Sequence, residues 1–211
     1  VDYFIANSKN TAKRIEKFYG MKSEVIYPPC DMGKSNLNDE EKKKNEGYFL
    51  VVSRLSPYKK IDIAVEAFNK LDLPLIIIGD GEDRKRLENM AEKNIKFLGF
   101  QSAEKLAEYY QNCQAFIFPG EDDFGITAVE AMSYGKPVLA FRKGGLEETM
   151  IEGETGEFFD DAIPEIMADG VRRLKNNYEK YDCEKIKNQA HKFSREKFED
   201  SLEGFINKHV L

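Results

Sequence analysis

The chain has 211 residues, 41% hydrophobic and 33% charged, with a formal net charge of −6. That length suffices for one sizeable domain with its own core, and the acidic balance argues against nucleic acid as a main partner. Cys30, Cys113 and Cys183 are few, odd in number and far apart, which points to a reducing compartment and away from a disulfide framework or a metal site.

The chain opens on Val1 rather than Met, as expected of a processed chain or an excised fragment. Asp2 and a polar stretch at 7–14 follow at once, unlike a signal peptide. No apolar run is long enough to span a bilayer. His191 and His209 are the only histidines, and they sit too far apart for a His-based catalytic or zinc cluster.

In chain order, residues 3–6 read as a short strand. Ser8 is placed to cap a helix that runs to about Tyr19, with Gly20 at its C-terminal end. Residues 24–27 are extended, and Pro28-Pro29 keeps them so. Residues 33–47 are polar and heavily charged and read as a loop or linker. Strands and helices then alternate. Strands are predicted at 48–53, 75–78, 95–98, 115–118 and 138–141. Helices are predicted at 61–71, 83–92, 103–112 and 125–134. A short turn or helix at 145–151 and a last strand at 157–159 follow, then helices at 162–176, 183–193 and 195–208. Runs such as Phe49-Leu-Val-Val52 and Leu75-Ile-Ile-Ile78 are apolar on both faces, as a helix-covered parallel sheet requires. The fold class is therefore α/β, a Rossmann-like, doubly wound parallel sheet with extra C-terminal helices.

Ligands of such sheets bind beyond the carboxyl ends of the strands. The loops there are 53–60, 79–82, 99–102, 119–124 and 142–145, and every chemically suggestive motif falls on them. Arg54, Lys59, Lys60, Arg142 and Lys143 make this rim basic, which suits a small anion. Arg54 and Lys59, five apart across a turn containing Pro57, are able to grip one pair of phosphates; the alternative is a solvated basic loop. A helix start after Phe124 offers the N–H groups of Gly125, Ile126 and Thr127 to sugar or phosphate oxygens, or is simply a helix start. Asp122 is a candidate ligand contact, and Asp122 or Asp123 is equally a candidate cap for that helix. Glu130 sits in Ala128-Val-Glu-Ala-Met132, where a carboxylate either finds donors such as a sugar diol or faces solvent. Gly79-Asp-Gly81 lacks the third glycine of a dinucleotide fingerprint, since Arg84 occupies that position. Cys113 reads as core, not nucleophile.

Taken together, residues 121–130, Ser53-Arg-Leu-Ser-Pro-Tyr-Lys-Lys-Ile-Asp62 and Gly79-Asp-Gly81 resemble the donor-binding half of a retaining family-four glycosyltransferase with the two-domain GT-B fold. The hallmark of that family is Glu, seven residues, Glu, with Phe-Gly inside and Glu-Ala-Met at the end. Here Asp122 stands at the first position and Glu130-Ala131-Met132 at the second. The Glu121-Asp-Asp-Phe-Gly-Ile-Thr127 form resembles O-antigen mannosyltransferases. The resemblance runs in order from Val1 to Phe159.

The resemblance implies transfer of a sugar, mannose from GDP-mannose, to a hydroxyl with retention of anomeric configuration. It assigns Arg54 and Lys59 to the diphosphate, Glu130 to the ribose diol, and Asp122, or its neighbour Glu121, to hydroxyls of the donor sugar. Ser53, Lys60, Phe124, Gly125, Ile126 and Thr127 join the donor contacts. Gly79 and Gly81 make room for the nucleotide, while Gly99 and Phe100 lie where the base is read. Gly144-Gly145 with Glu148 matches the family's Gly-Gly-x-x-Glu segment, or is a turn with a helix cap. Lys60 stands where the family usually has glycine. No obligatory metal or other cofactor is implied, and no Asp-x-Asp pair stands at a strand end to hold one.

The implied organisation is the end of an acceptor domain and crossover at 1–33, the charged linker at 34–47, the donor-binding domain at 48–193 and a C-terminal helix at 194–211. The rest of the acceptor domain would be missing and the fragment inactive without it. The location implied is cytoplasmic, with peripheral membrane contact through the missing half. A non-catalytic nucleotide-sugar-binding module and a sugar-nucleotide epimerase on the same fold are the alternatives.

Overall fold

A computed structural model describes residues 2–33 and 47–209. The linker expected at 34–47 thus falls, apart from Gly47, outside the described residues.

The chain begins with a small parallel β-α-β unit: β1 (Phe4–Ala6), α1 (Lys9–Tyr19) and β2 (Ser23–Val25). Ser8 stands at the N-cap in an extended conformation and its hydroxyl accepts from Thr11 N at 3.0 Å. Gly20 closes the helix at φ 64°, a left-handed conformation that costs glycine nothing.

The main body alternates as expected: β3 (Phe49–Val52), α2 (Ile61–Leu71), β4 (Leu75–Ile78), α3 (Arg84–Met90), β5 (Ile95–Gly99), α4 (Ala103–Asn112), β6 (Ala115–Phe118), α5 (Ile126–Ser133), β7 (Val138–Phe141), α6 (Leu146–Thr149) and β8 (Gly156–Phe159). Three helices follow: α7 (Pro164–Asn176), α8 (Cys183–His191) and α9 (Arg195–His209). The six long-range strands pair in parallel in the order β5-β4-β3-β6-β7-β8. This is the doubly wound sheet read from the sequence, and the strand order reverses between β3 and β6.

The two-faced apolar strands split their side chains by the two-residue period of a strand. Phe49, Val51, Leu75, Ile77, Ile117 and Leu139 enter a core shared with α2 and α7. Leu50, Ile78, Phe116, Phe118, Val138 and Ala140 enter a second core shared with α4, α5 and α8. Each of these buried Val, Leu, Ile and Phe side chains contributes about 1.5–3 kcal/mol over an exposed one, so the sheet centre is the rigid floor of the rim above it.

Helix α3 is shorter than the 83–92 expected. The side chain of Asn69 donates to Met90 O at 2.8 Å and accepts from Glu92 N at 3.0 Å, replacing the next helical turn. At the other end of the chain, α9 returns to the first unit. Phe205 meets Tyr3 edge-on at 6.1 Å, and Lys208 donates to Glu24 at 3.1 Å. Among the described residues, no helix is long and apolar enough to cross a membrane.

Candidate functional site

Above the reversal point, β3 feeds Ser53, Arg54 and a 3-10 turn at Pro57–Lys59, while β6 feeds the 119–125 loop and the start of α5. The two loops enclose a hollow of about 400 Å³. Ser53, Arg54, Tyr58 and Lys59 line one side, and Asp122, Phe124, Gly125, Ile126 and Thr127 line the other. Asn7 and Pro28, from the first β-α-β unit, complete it.

Two features give this hollow its chemistry. Lys59 Nζ lies 2.5 Å from Asp122 Oδ2, with the lysine side chain only 15% exposed. Arg54 has no carboxylate partner among the described residues. At the other wall, α5 starts on Gly125 at φ 87°, with no side chain capping it. Neither Asp122 nor Asp123 caps the helix: Asp122 Oδ1 accepts from Asp123 N at 2.9 Å instead. No acceptor among the described residues takes the N–H groups of Ile126 and Thr127, so they face the hollow with the positive end of the α5 dipole behind them.

The glycines shape this rim from beneath. A Cβ on Gly79, whose φ is 128°, would stand 1.9 Å from the Ser53 carbonyl oxygen, and one on Gly81 would stand 2.2 Å from that of Leu55. Both glycines let the β4 loop press against the backbone that carries Arg54. Neither lines the hollow.

Glu130 lies one helical turn further along α5, on its α4 side. Its Oε2 accepts from the Tyr110 hydroxyl at 3.0 Å, and the Tyr110 ring stacks on Tyr134 at 5.6 Å. Burial, reinforced by Asp31 and opposed by the Tyr110 hydroxyl, raises its carboxyl above the usual carboxylate range. Glu130 does not line the hollow that holds Arg54 and Lys59. It flanks that hollow across the first turn of α5, so one ligand meets both only by running along the helix.

The sequence pattern of the family described as Glycosyl transferases group 1 matches residues 34–193. The chain belongs to the group 1 glycosyl transferases. It is 32% identical over 206 residues to glycosyltransferase MJ1178 of Methanocaldococcus jannaschii, covering 93% of this chain and 56% of the relative. It is 29% identical over 206 residues to the lipopolysaccharide 1,2-N-acetylglucosaminetransferase of Salmonella typhimurium, covering 85% of this chain and 53% of the relative. Among solved structures, Anabaena Alr3699/HepE in complex with UDP and glucose superposes with a TM-score of 0.87 at 22% identity, over 98% of this chain and 63% of that one. The chain spans about half the length of the curated relatives it matches.

In this group 1 glycosyl transferase, several residues singled out from the sequence stand outside the hollow: Lys60, Gly99, Phe100 and Glu121 do not line it. Lys60 caps α2 at φ 55°, a left-handed conformation suited to the glycine usual at that position. Phe100 is 87% exposed beyond β5. The basic rim is also smaller than expected. Arg142 donates to Asp160 and Glu152 at 2.6 Å each and lies over the Phe158 ring, so its charge is spent on structure. Cys113 is buried, and burial pushes its thiol up to about 12, as fits a core residue. Asn7, Pro28 and Tyr58 line the hollow unforeseen. Tyr58 adjoins Lys59, whose ammonium lies 5.1 Å from its ring centroid; Asn7 and Pro28 are brought in only by the packing of the first unit. Among the described residues, no three His, Cys, Asp or Glu side chains cluster to hold a metal ion.

Proposed function

We propose that this chain is the donor-binding part of a retaining glycosyltransferase and that the hollow receives the diphosphate of a nucleoside diphosphate sugar. The observation that carries the reading is the convergence of Arg54, Lys59 and the open N–H groups of α5 on one hollow at the reversal of the strand order. Two fixed cations and a helix start are complementary to the negative charge that builds on a departing diphosphate. Metal independence is part of the proposal, because these groups supply the stabilisation a divalent ion otherwise gives.

In this reading the β-phosphate lies between Lys59 and the N–H groups of Ile126 and Thr127, and Arg54 forks onto the adjacent phosphate. The ribose then lies along α5 toward Glu130, whose carboxylate accepts from two hydroxyls. The donor sugar faces Asp122. The acceptor hydroxyl attacks from the side of Asn7 and Pro28, where further sequence of the whole protein completes the cleft. The donor we propose is GDP-mannose, on the likeness of residues 121–127 to O-antigen mannosyltransferases. UDP in the HepE structure makes UDP-sugars the rival donors.

Calorimetric titration with GDP, UDP and ADP tests the site. Saturable binding of one of them, weakened by Arg54→Ala and Lys59→Ala, is the expected result. No binding of any of them overturns the reading. Transfer by the full-length protein from GDP-mannose and UDP-glucose, with and without EDTA, decides donor, anomeric outcome and metal dependence.

A further inference from the structure

Glu148, on the short helix α6, reaches across to the first β-α-β unit. Its two carboxylate oxygens accept from the first backbone N–H groups of α1, Lys9 N at 2.9 Å and Asn10 N at 3.0 Å. The Tyr27 hydroxyl donates to Oε2 at 3.0 Å. Helix α1 already has a local cap in Ser8. Ser8 takes only the Thr11 N–H, so the Lys9 and Asn10 N–H groups that this local cap leaves open are satisfied instead by an anion 139 and 138 residues away. The positive end of the helix strengthens the bond to the carboxylate.

The same carboxylate is tied to the hollow by two routes. Gly145, the residue on which α6 starts, donates its N–H to Asp122 O at 2.9 Å. That contact tolerates nothing larger, since a Cβ on Gly144 would lie 2.2 Å from Asp122 O. The Tyr27 ring packs on Phe124 at 5.8 Å, two residues from Asp122. A parallel tie runs from Arg14 of α1 to Asp123 at 2.6 Å. Asn7 and Pro28, which line the hollow, stand next to the α1 start and Tyr27.

We propose that Glu148 is a positioning residue: its carboxylate seats the α1 start and Tyr27 against the rim and, through α6 and Gly145, links that seat to the placement of Asp122. This rests on the transfer reading above. The carboxylate touches neither sugar nor phosphate. It sets how far the wall bearing Asn7 and Pro28 stands from the wall bearing Lys59 and Asp122. An error of about 1 Å in that spacing is worth on the order of a hundredfold in rate, whereas grip on the nucleotide, made by Arg54, Lys59 and α5 alone, is indifferent to it.

The test uses the full-length protein and reads three quantities in Glu148→Gln, Tyr27→Phe and, as a control, Glu147→Gln. They are kcat for transfer, Kd for GDP, and hydrogen exchange at the Lys9 and Asn10 amides. In Glu148→Gln, kcat is expected to fall about tenfold or more, with Kd held within about threefold and exchange at both amides faster by about tenfold. Tyr27→Phe moves kcat and exchange in the same direction by less, and it carries the test if Glu148→Gln fails to fold. Glu147→Gln changes none of the three. The proposal is overturned by an unchanged kcat in both variants, by unchanged exchange, or by a loss of GDP affinity as large as the loss of kcat. Should the unaltered protein bind no nucleoside diphosphate, the transfer reading falls, and the amide exchange alone then sustains or sinks the seat.

Discussion

Lys59 and Asp122 meet at 2.5 Å across the reversal of the strand order, joining the two loops that form the hollow. The cation nearest the proposed phosphates is thus held in place by the acid nearest the proposed sugar. Removing either one changes the environment of the other, and the consequences differ for binding and for turnover.

Lys59→Ala deletes one of the proposed phosphate contacts and leaves Asp122 facing the proposed phosphate site without its cation. Affinity for the nucleoside diphosphate is expected to fall about a hundredfold, since a charged hydrogen bond is worth about 1.5–3 kcal/mol and uncompensated repulsion adds to its loss. Adding Asp122→Asn to Lys59→Ala restores part of the affinity. A double-mutant cycle by calorimetry measures the coupling.

Asp122→Asn alone separates the two functions. With the competing anion gone, Lys59 is freed for phosphate, and affinity for GDP holds or improves by a few-fold. The rate of transfer drops by about a hundredfold if the carboxylate holds the sugar in its reactive position. Parallel calorimetry and initial-rate measurements check the split.

Glu130→Gln trades function for stability. Because burial raises the Glu130 carboxyl, the folded chain binds its proton more tightly than the unfolded chain does. Above that raised value the folded state holds a charge in a poor environment, so the neutral variant is expected to melt higher at pH 7–8. The advantage shrinks as pH falls through the raised value and vanishes below about 4.3, where the unfolded carboxyl is protonated too. Nucleotide affinity moves the opposite way and weakens by about tenfold on loss of a charged acceptor for hydroxyls. Thermal melts across pH, set beside titrations, read both.

Lys60→Gly is expected to stabilise the fold. The lysine sits at φ 55°, where a side chain costs about 1–2 kcal/mol, and part of that gain is returned through the greater freedom of glycine when unfolded. Gly79→Ala should do the reverse and abolish folding or lower the melting temperature sharply, because its Cβ would fall 1.9 Å from the Ser53 carbonyl oxygen, an atom of the backbone. Thermal denaturation of both variants checks the pair.

The sheet was legible because Phe49-Leu-Val-Val52, Leu75-Ile-Ile-Ile78 and Ala115-Phe-Ile-Phe118 are short, apolar at consecutive positions and rich in β-branched or aromatic residues, as strands covered on both faces are. The loops bearing Arg54, Lys59 and Asp122 followed from the strand ends. What stayed hidden were contacts between residues remote in the chain. Nothing local links Lys59 to Asp122, or Glu148 to the amides of Lys9 and Asn10, because each pair meets only after the sheet has formed. Arg142 misled for a related reason: Glu152 and Asp160 flank β8, which returns beside β7 and brings both acids onto the guanidinium. Their nearness in sequence was a usable signal. Helix α3 ended early on account of Asn69, a side chain from another helix, which no periodicity within 83–92 encodes.

All six main strands run the same way, so the turns at their amino ends, such as Asp72-Leu-Pro74 and Glu92-Lys-Asn94, stand at the far edge of the molecule from the hollow. Asn94 is tied to Phe68 O and Leu73 O, but the Asp72 and Lys93 side chains are exposed, so a reporter dye on either stands away from the proposed donor site. Lys93, exposed on that far edge, is the natural attachment point for following donor uptake in real time.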